Sequence, residues 1–222
     1  MIFHPPFRDR YDAGRRLAQR LMSYAGRSDV LVLALPRGGV PVGYEVARAL
    51  GAPLDVLVVR KLGVPGHEEL AMGAIATGGI RVTYDEVVHE LGIPQEVIDA
   101  VTAREQRELL RREQAYRDGR PPPQVRGKTV ILVDDGLATG TTMRAAAMAL
   151  RQQAPARIIV AVPVAAPGST RQLVGLVDGV VTLLQPEPFY GVGLWYQDFT
   201  QTSDEEVRAL LARAAAPDAK TV

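Results

Sequence analysis

Short runs of apolar, mostly β-branched residues recur along the chain, and segments with helical periodicity separate them. The apolar runs lie at 30–35, 56–59, 130–133, 158–162 and 180–184, and the helical patterns at 11–24, 42–50 and 143–153. Continuous apolar runs of this length are typical of strands that are buried on both faces, as in a parallel sheet. The alternating order therefore predicts an α/β fold with a central, mostly parallel sheet of about five strands flanked by helices.

The alternation breaks between about 63 and 124. Gly78 and Gly79 separate two short apolar segments, which predicts a β-hairpin closed by a two-residue turn, and two helical patterns follow at 85–89 and 95–117. We interpret this region as a hairpin-plus-helices insertion in one domain that covers residues 1–222. Its core would then lie at about 28–62 and 126–185, and a C-terminal tail would run from about 186 to 222.

The composition excludes several classes of protein. The 222 residues include no cysteine, and the three histidines lack paired ligand spacing, which excludes disulfides, a thiolate nucleophile and a Cys- or His-built zinc site. The formal net charge of +1 argues against a surface that coats nucleic acid. No apolar run approaches the roughly 20 residues that span a bilayer, and the first residues lack the pattern of a signal peptide. We therefore expect a cytoplasmic protein with no membrane segment.

The most informative motif follows the apolar run at 130–133. Two adjacent carboxylates, Asp134 and Asp135, come first, then a loop of small and hydroxyl residues, then a helix that begins near Thr142. Carboxylates at the carboxyl edge of a parallel sheet lie where such folds bind ligands, and they can accept hydrogen bonds from sugar hydroxyls or hold the water shell of Mg²⁺. Loop N–H groups ahead of a helix suit a phosphate, and Gly140 lets the backbone approach it closely. A plain turn with solvated acids would not need this run of residues.

The stretch 130–143 resembles the phosphoribosyl-pyrophosphate signature of the type I phosphoribosyltransferase family, with the nearest likeness to adenine phosphoribosyltransferases. The resemblance implies that Asp134 and Asp135 contact the ribose hydroxyls and that the following loop holds the 5′-phosphate. The implied substrate-binding residues of the loop are Leu137, Ala138, Thr139, Gly140, Thr141 and Thr142. Gly136 departs from the family's usual aliphatic residue, and we expect it to make the loop more flexible without loss of binding.

Two shorter motifs precede this loop in the chain. Arg37, Gly38 and Gly39 follow the first predicted strand, where a glycine pair exposes N–H groups and an arginine offers a fork of donors to phosphate oxygens. Arg60 and Lys61 follow the second predicted strand. Taken alone, these motifs also fit a tight turn and surface charge. The resemblance implies a pyrophosphate loop at 37–39 and an Arg-Lys pair ahead of a mobile lid, with Lys61 on the pyrophosphate.

An aromatic segment follows the last predicted strand. Residues 189–199 contain five aromatic side chains, which fit either a packed edge or a stacking surface for a planar base. The resemblance implies that Phe189 or Tyr190, together with Trp195, lines the base. Trp195 stands where purine-salvaging members carry an acid that reads the purine, which argues against ordinary hypoxanthine or guanine recognition.

The resemblance implies an enzyme of nucleotide metabolism, a homodimer, that transfers the 5-phosphoribosyl group to a nitrogen acceptor such as a nucleobase and releases pyrophosphate. Asp134, Asp135 and Lys61 would be the catalytic residues. Mg²⁺ would bind through the substrate and water, with no direct protein ligand. The acids that some members use for proton transfer are absent here. We therefore expect that a lid residue, His67, Glu68 or Glu69, takes the proton of the acceptor, or that the acceptor needs no strong base.

Two alternatives to phosphoribosyl transfer make different demands on these residues. A non-catalytic protein that binds phosphoribosyl pyrophosphate or a nucleotide for regulation stays open, because acids used by some members are absent. An RNA-binding version of that protein has little electrostatic support at a net charge of +1. An aspartyl phosphatase would need acids at alternate positions, whereas Asp134 and Asp135 are adjacent.

Overall fold

The computed structural model describes residues 5–216. Both ends of the predicted domain therefore lie outside the described residues, and so do the first four residues of the chain, which lack a signal-peptide pattern. Helices and strands follow one another in the order α1 (Arg10–Arg20), β1 (Val30–Ala34), α2 (Gly39–Leu50), β2 (Leu54–Val56), β3 (Val59–Val64), β4 (His67–Ala76), β5 (Ile80–Thr83), α3 (Asp85–Glu90), α4 (Gln95–Arg117), β6 (Thr129–Val133), α5 (Thr141–Gln152), β7 (Arg157–Val164), α6 (Pro167–Arg171), β8 (Gly179–Leu184) and α7 (Asp204–Ala215). Short 3₁₀ turns occur at Met22–Tyr24 and Val192–Trp195.

The centre of the fold is a five-stranded sheet in the order β2-β1-β6-β7-β8, and every neighbouring pair is parallel. Strands β1 and β6 are buried along their whole length, because helices cover both faces. Side chains alternate between the faces, so Val32 belongs to the buried cluster that contains Leu17 of α1, whereas Leu33 belongs to the cluster that contains Met143 of α5. The predicted α/β fold with a parallel five-stranded sheet is confirmed.

The prediction of one strand over 56–59 is wrong. Strand β2 ends at Val56, and β3 begins at Val59 in a separate antiparallel sheet of order β3-β4-β5. At the break, the Val58 N–H donates to Thr77 Oγ1 (2.9 Å) and the Thr77 N–H donates to the Val58 carbonyl (2.9 Å). These bonds to the hairpin replace pairing with β1, and apolar character alone does not signal such a change of partner.

The predicted hairpin is present, and we call β3, β4 and β5 the lid sheet. The turn has three residues and not the two predicted, because Ala76 pairs with Ile80 and Thr77 joins the turn. Gly78 and Gly79 adopt left-handed φ angles of 85° and 72°. Strand β4 begins at His67 and is therefore longer than the apolar pattern indicates. Helix α4 packs on the lid sheet and on α7, which places the insertion against the core.

No helix within residues 5–216 is both long and apolar enough to cross a membrane.

Candidate functional site

The acidic pair lies at the carboxyl edge of β6, the central strand of the parallel sheet. Asp134 and Asp135 follow Val133 directly, and the Asp135 N–H donates to Asp134 Oδ1 (2.8 Å). The Leu35 N–H, at the end of the neighbouring strand, donates to the Val133 carbonyl (2.9 Å). The strand ends therefore hold both carboxylates at the edge where open α/β sheets bind ligands.

Two glycines let the β1–α2 loop approach the acidic pair closely. A Cβ on Gly38 would collide with the Asp135 carboxylate, and a Cβ on Gly39 would lie 2.8 Å from the Val133 carbonyl oxygen and 2.9 Å from Asp134 Cα. Gly38 has an ordinary right-handed conformation (φ −60°). We call residues 37–39 the glycine turn. Its glycines are required because the turn approaches the acidic pair closely, and not because of an unusual backbone angle.

Gly136 also has a packing reason. A Cβ at this position would collide with the Val192 side chain in the 3₁₀ turn within the aromatic segment. Close contact with this turn explains the missing aliphatic side chain, and it gives no support to our expectation of a more flexible loop. Leu137 then returns to the sheet, because its N–H donates to the Val164 carbonyl (2.9 Å) and its side chain is buried.

Arg10 is a site residue that the sequence analysis missed. It is the first residue of α1, and its Nε donates to Asp135 Oδ2 (2.8 Å). The phenol of Tyr196 donates to the Asp135 backbone carbonyl. A signal for Arg10 exists in the sequence, since it shares the apolar face of α1 with Ala13 and Leu17 at helical spacing. A cation on such a face needs a buried partner.

Burial dominates the electrostatics of the acidic pair. Loss of hydration raises the pKa of Asp134 well above the ordinary aspartate value, and the charge of Asp135 raises it further. Burial also raises the pKa of Asp135, whereas the Arg10 guanidinium opposes that rise. The pair is therefore a poorly hydrated site whose negative charge is stabilised by the Arg10 guanidinium and by the Asp135 N–H.

The loop after Leu137 leads into the N-terminus of α5. Gly140 adopts a left-handed φ of 80°, and α5 begins at the next residue. Thr139, Thr141 and Thr142 are exposed, and the hydroxyls of Thr139 and Thr141 lie 3.3 Å apart. The first N–H groups of a helix lack intrahelical acceptors, so this end offers donors to an anion.

A cleft of about 540 Å³ separates this loop from the lid sheet. Its lining residues are Val59, Lys61, Glu69, Leu70, Ala71, Gly73, Ala74, Tyr84, Thr139, Thr141, Thr142 and Ala145. The Lys61 ammonium donates to the Glu69 carbonyl (3.2 Å) and lies 3.5 Å from its carboxylate. The structure thus brings Lys61 to the loop at 138–142, which we call the threonine loop. Asp134 and Asp135 do not line this cleft.

Two other predicted phosphate ligands have protein partners. Arg60 contacts Glu105 of α4 with N–O distances of 3.0 and 2.6 Å, while Lys61 lines the cleft, as expected for neighbours on a strand. Arg37 lies 3.7 Å from the Asp204 carboxylate at the start of α7. The structure does not bring Arg60 into the cleft, whereas Arg37 stays in the loop beside the acidic pair.

The three lid candidates begin β4 and are exposed. The Glu68 carboxylate accepts a hydrogen bond from the Gly66 N–H (3.2 Å), and bonds from its own N–H and that of Gly66 lower its pKa. Glu69 lines the cleft, whereas His67 and Glu68 do not.

The aromatic segment packs beside the acidic pair. Phe189 and Trp195 pack against a buried cluster that contains Phe7 and Tyr196, whereas Tyr190 is 81% exposed. The predicted base-binding residues thus divide into two that pack against the core and one that faces solvent.

Across residues 5–216, no three or more His, Asp or Glu side chains are grouped as a metal site would require.

Comparisons with known proteins identify a domain family and similar proteins. Residues 7–187 match the sequence profile of the phosphoribosyl transferase domain. A candidate phosphoribosyl transferase of Mycobacterium tuberculosis is 49% identical over 208 residues, 94% of this chain and 47% of that protein. The bifunctional protein PyrR of Brevibacillus brevis is 32% identical over 119 residues, 51% of this chain and 65% of that protein. The crystal structure of a Thermus thermophilus protein is similar with a TM-score of 0.85 and 43% identity, over 95% of this chain and 99% of that one.

The chain spans about half the length of the curated mycobacterial relatives. The matched profile contains the glycine turn, the lid sheet and the acidic pair, and it ends before the aromatic segment.

Proposed function

Because the chain belongs to the phosphoribosyl transferase domain family, we propose that it transfers the 5-phosphoribosyl group of phosphoribosyl pyrophosphate to a nitrogen acceptor and releases pyrophosphate. The acceptor class that we favour is a nucleobase or a similar heterocycle. A homodimer, a cytoplasmic location and a role in nucleotide metabolism are parts of the same proposal.

One observation carries the proposal: the acidic pair and the threonine loop are consecutive in the chain at one sheet edge. Asp134 and Asp135 offer carboxylate oxygens at the end of β6, and the helix that follows begins at Thr141 with exposed hydroxyls beside it. A sugar phosphate carries both complementary groups, since its hydroxyls suit the carboxylates and its phosphate suits the helix N-terminus.

In the proposed reaction, the acceptor nitrogen forms a bond to C1 of the ribose as the bond from C1 to the pyrophosphate oxygen breaks. Pyrophosphate takes the electron pair of that bond. Asp134 and Asp135 orient the ribose through its hydroxyls, while Arg37 and the N–H groups of the glycine turn are assigned to the leaving group. Lys61 is assigned to a phosphate of the same substrate in the cleft.

The acidic pair fits Mg²⁺ that is bound mainly by substrate and water. Two neighbouring carboxylates are hard oxygen donors, and Mg²⁺ commonly binds proteins through one or two carboxylates and keeps several waters. When bound, the ion would neutralise charge on the departing pyrophosphate. Asp134 and Asp135 are the residues that would hold its water shell.

The proton of the acceptor needs a base, and we assign it to Glu69 among the lid candidates, because Glu69 lines the cleft. Replacement of His67, Glu68 and Glu69 by alanine together is expected to lower the rate of pyrophosphate release. Unchanged turnover of this variant would remove the lid from the chemistry and would leave an acceptor that needs no strong base.

Calorimetric titration of phosphoribosyl pyrophosphate, with and without Mg²⁺, tests binding first. We expect micromolar affinity that strengthens with Mg²⁺, followed by pyrophosphate release with at least one member of a nucleobase panel. Tight binding without release for any base would favour the regulatory alternative. No binding under either condition would overturn the assignment of the site.

A further inference from the structure

Arg10 lies far from the family motifs in the sequence and yet contacts the acidic pair directly. We infer that Arg10 is a positioning residue of the site: it holds the Asp135 carboxylate and fastens the segment 196–200 beside it. This inference rests on the proposed function, because it concerns how Asp135 is presented to the ribose.

The guanidinium of Arg10 bridges two parts of the chain. Its Nε donates to Asp135 Oδ2 (2.8 Å) and its Nη1 donates to the Thr200 carbonyl (2.7 Å). The side chains of Arg10 and Asp135 are only 10% and 15% exposed. A charge-assisted bond at this depth is screened little by solvent, so it fixes one oxygen of the carboxylate.

An aromatic stack completes the bridge. The Arg10 guanidinium carbon lies 3.9 Å from the centre of the Phe199 ring, and the rings of Phe199 and Tyr196 are 5.1 Å apart. Tyr196 in turn donates to the backbone carbonyl of Asp135. The contacts therefore form a closed circuit from Arg10 through Phe199 and Tyr196 to Asp135 and back to Arg10.

The shape of arginine matters in this circuit. A planar guanidinium can donate in two directions and stack on a ring at the same time, whereas an ammonium group is a single compact charge. Asp134 Oδ1 is held by the Asp135 N–H in addition. Each carboxylate therefore has one oxygen fixed by protein, which presets the pair for the two hydroxyls of a ribose and restrains the C-terminal segment beside them.

The test is a double-mutant cycle on ligand affinity. Phosphoribosyl pyrophosphate is titrated with Mg²⁺ into the wild-type chain and into the variants Arg10→Met, Arg10→Lys, Asp135→Asn and Arg10→Met with Asp135→Asn. Arg16→Met is the matched control, because Arg16 is an exposed arginine of the same helix that pairs with Asp12. Melting temperatures are measured for every variant.

We expect Arg10→Met to weaken binding roughly two- to tenfold, because an Asp135 carboxylate that is no longer held in place has to be ordered when the ligand binds. Arg10→Lys should recover part of the loss, and Arg16→Met should bind as the wild type does. The double variant should bind no more weakly than Asp135→Asn alone, because Arg10 acts through Asp135.

The inference about Arg10 would be overturned if Arg10→Met bound with wild-type affinity, or if the double variant bound more weakly than Asp135→Asn by the full factor lost in Arg10→Met. Either result would leave the proposed function standing. If Asp135→Asn already removes measurable binding, the affinities of Arg10→Lys and Arg10→Met decide. Tighter binding by Arg10→Lys would support the role of Arg10, and equal affinities would overturn it. If Arg10→Met does not fold, Arg10→Lys and the double variant, which has no unpaired buried carboxylate, carry the test. Absence of binding by the wild type would instead remove the proposed function, and this inference with it.

Discussion

The two sheets contribute to the site in opposite ways. The parallel sheet supplies Asp134 and Asp135, which are enclosed, poorly hydrated and held by bonds of 2.8 Å. The lid sheet supplies Lys61 and Glu69, whose side chains are 43% and 104% exposed and whose charges lie 3.5 Å apart. Enclosed charges interact strongly and respond to small changes, whereas exposed charges are screened by water and salt. We therefore expect the sheet edge to determine affinity and the lid to adjust it.

The lid sheet is nevertheless attached firmly on its other side. Arg60 contacts Glu105 of α4 at 2.6 Å, and both side chains are largely buried. The contrast in the site is therefore between the exposed cleft side of β3 and the sheet edge, and not between a loose insertion and a rigid core.

The largest effect should come from removing the negative charge at the sheet edge. Asp134→Asn combined with Asp135→Asn is expected to weaken binding of phosphoribosyl pyrophosphate about a hundredfold or more, because charge-assisted bonds to the ribose and to the water shell of Mg²⁺ are lost. The fold should remain, since the amide is close in shape to the carboxylate. Calorimetry measures the affinity and circular dichroism the fold.

Asp29→Asn is the matched control for this variant, because Asp29 precedes β1 at the opposite edge of the sheet and pairs with Arg27. It should bind as the wild type does. Normal binding by the double variant would show that the ribose does not contact the acidic pair.

The second effect tests whether the sheet edge is as closely packed as the contacts indicate. Gly38→Ala places a Cβ into the Asp135 carboxylate and 3.2 Å from the Arg10 Nε. We expect a loss of stability of about 1–3 kcal/mol, the range typical of overpacking, together with weaker ligand binding. Chemical denaturation and calorimetry measure the two quantities.

Gly168→Ala is the control for Gly38→Ala, since no atom lies within 4 Å of a Cβ there and it is helical. Its stability should change by a few tenths of a kcal/mol at most. Equal stability of the two alanine variants would mean that the glycine turn can move away from Asp135.

The sequence was sufficient for the sheet because both faces of each central strand are covered, which leaves a continuous apolar run. It was not sufficient for the break after Val56, since the next residues stay apolar while changing partner to Thr77. The same holds for Arg117 in the helix predicted at 95–117, because the helical pattern does not indicate its distant partners. Arg117 is in fact 3% exposed and bonds to Asp55 (3.0 Å) and to the Val56 carbonyl (2.8 Å).

Motif residues that act through neighbours in the chain were predictable, and contacts between distant segments were not. The acidic pair and the threonine loop are consecutive, so their residue types alone suggest the chemistry. Arg10 is 125 residues from its partner Asp135, and Val192 explains Gly136 only once the fold is known. These contacts depend on tertiary packing, which a single sequence does not specify pair by pair.

A smaller effect distinguishes burial from ligand binding within the acidic pair. Asp134→Asn should stabilise the ligand-free protein by about 1 kcal/mol at neutral pH, because the raised pKa of Asp134 means that folding disfavours its ionised form. The contribution of such a group to stability is fully present below its pKa in the unfolded chain, and it is lost as the pH rises through its pKa in the folded protein. The advantage of the variant should therefore vanish in acid and grow with pH.

Melting temperatures of the wild type and Asp134→Asn, measured from acid to neutral pH, give the difference in stability between the two proteins. The amide oxygen can still accept from the Asp135 N–H, so the local bond is retained. A variant that is less stable at neutral pH would contradict the burial argument, and it would place Asp134 among carboxylates that stabilise the fold when charged.

The smallest effect belongs to the lid. Glu69→Gln removes the negative charge beside Lys61 but keeps the backbone carbonyl that also accepts from its ammonium. Stability should change by less than about 1 kcal/mol, as for other exposed ion pairs. Affinity for phosphoribosyl pyrophosphate should rise about two- to threefold at low salt and fall back to the wild-type value at high salt, because screening removes the repulsion. Glu68→Gln is the control, because this carboxylate lies outside the cleft, and it should leave affinity unchanged. A rise in the affinity of Glu69→Gln that persists at high salt would show that the Glu69 carboxylate acts by contact rather than by charge.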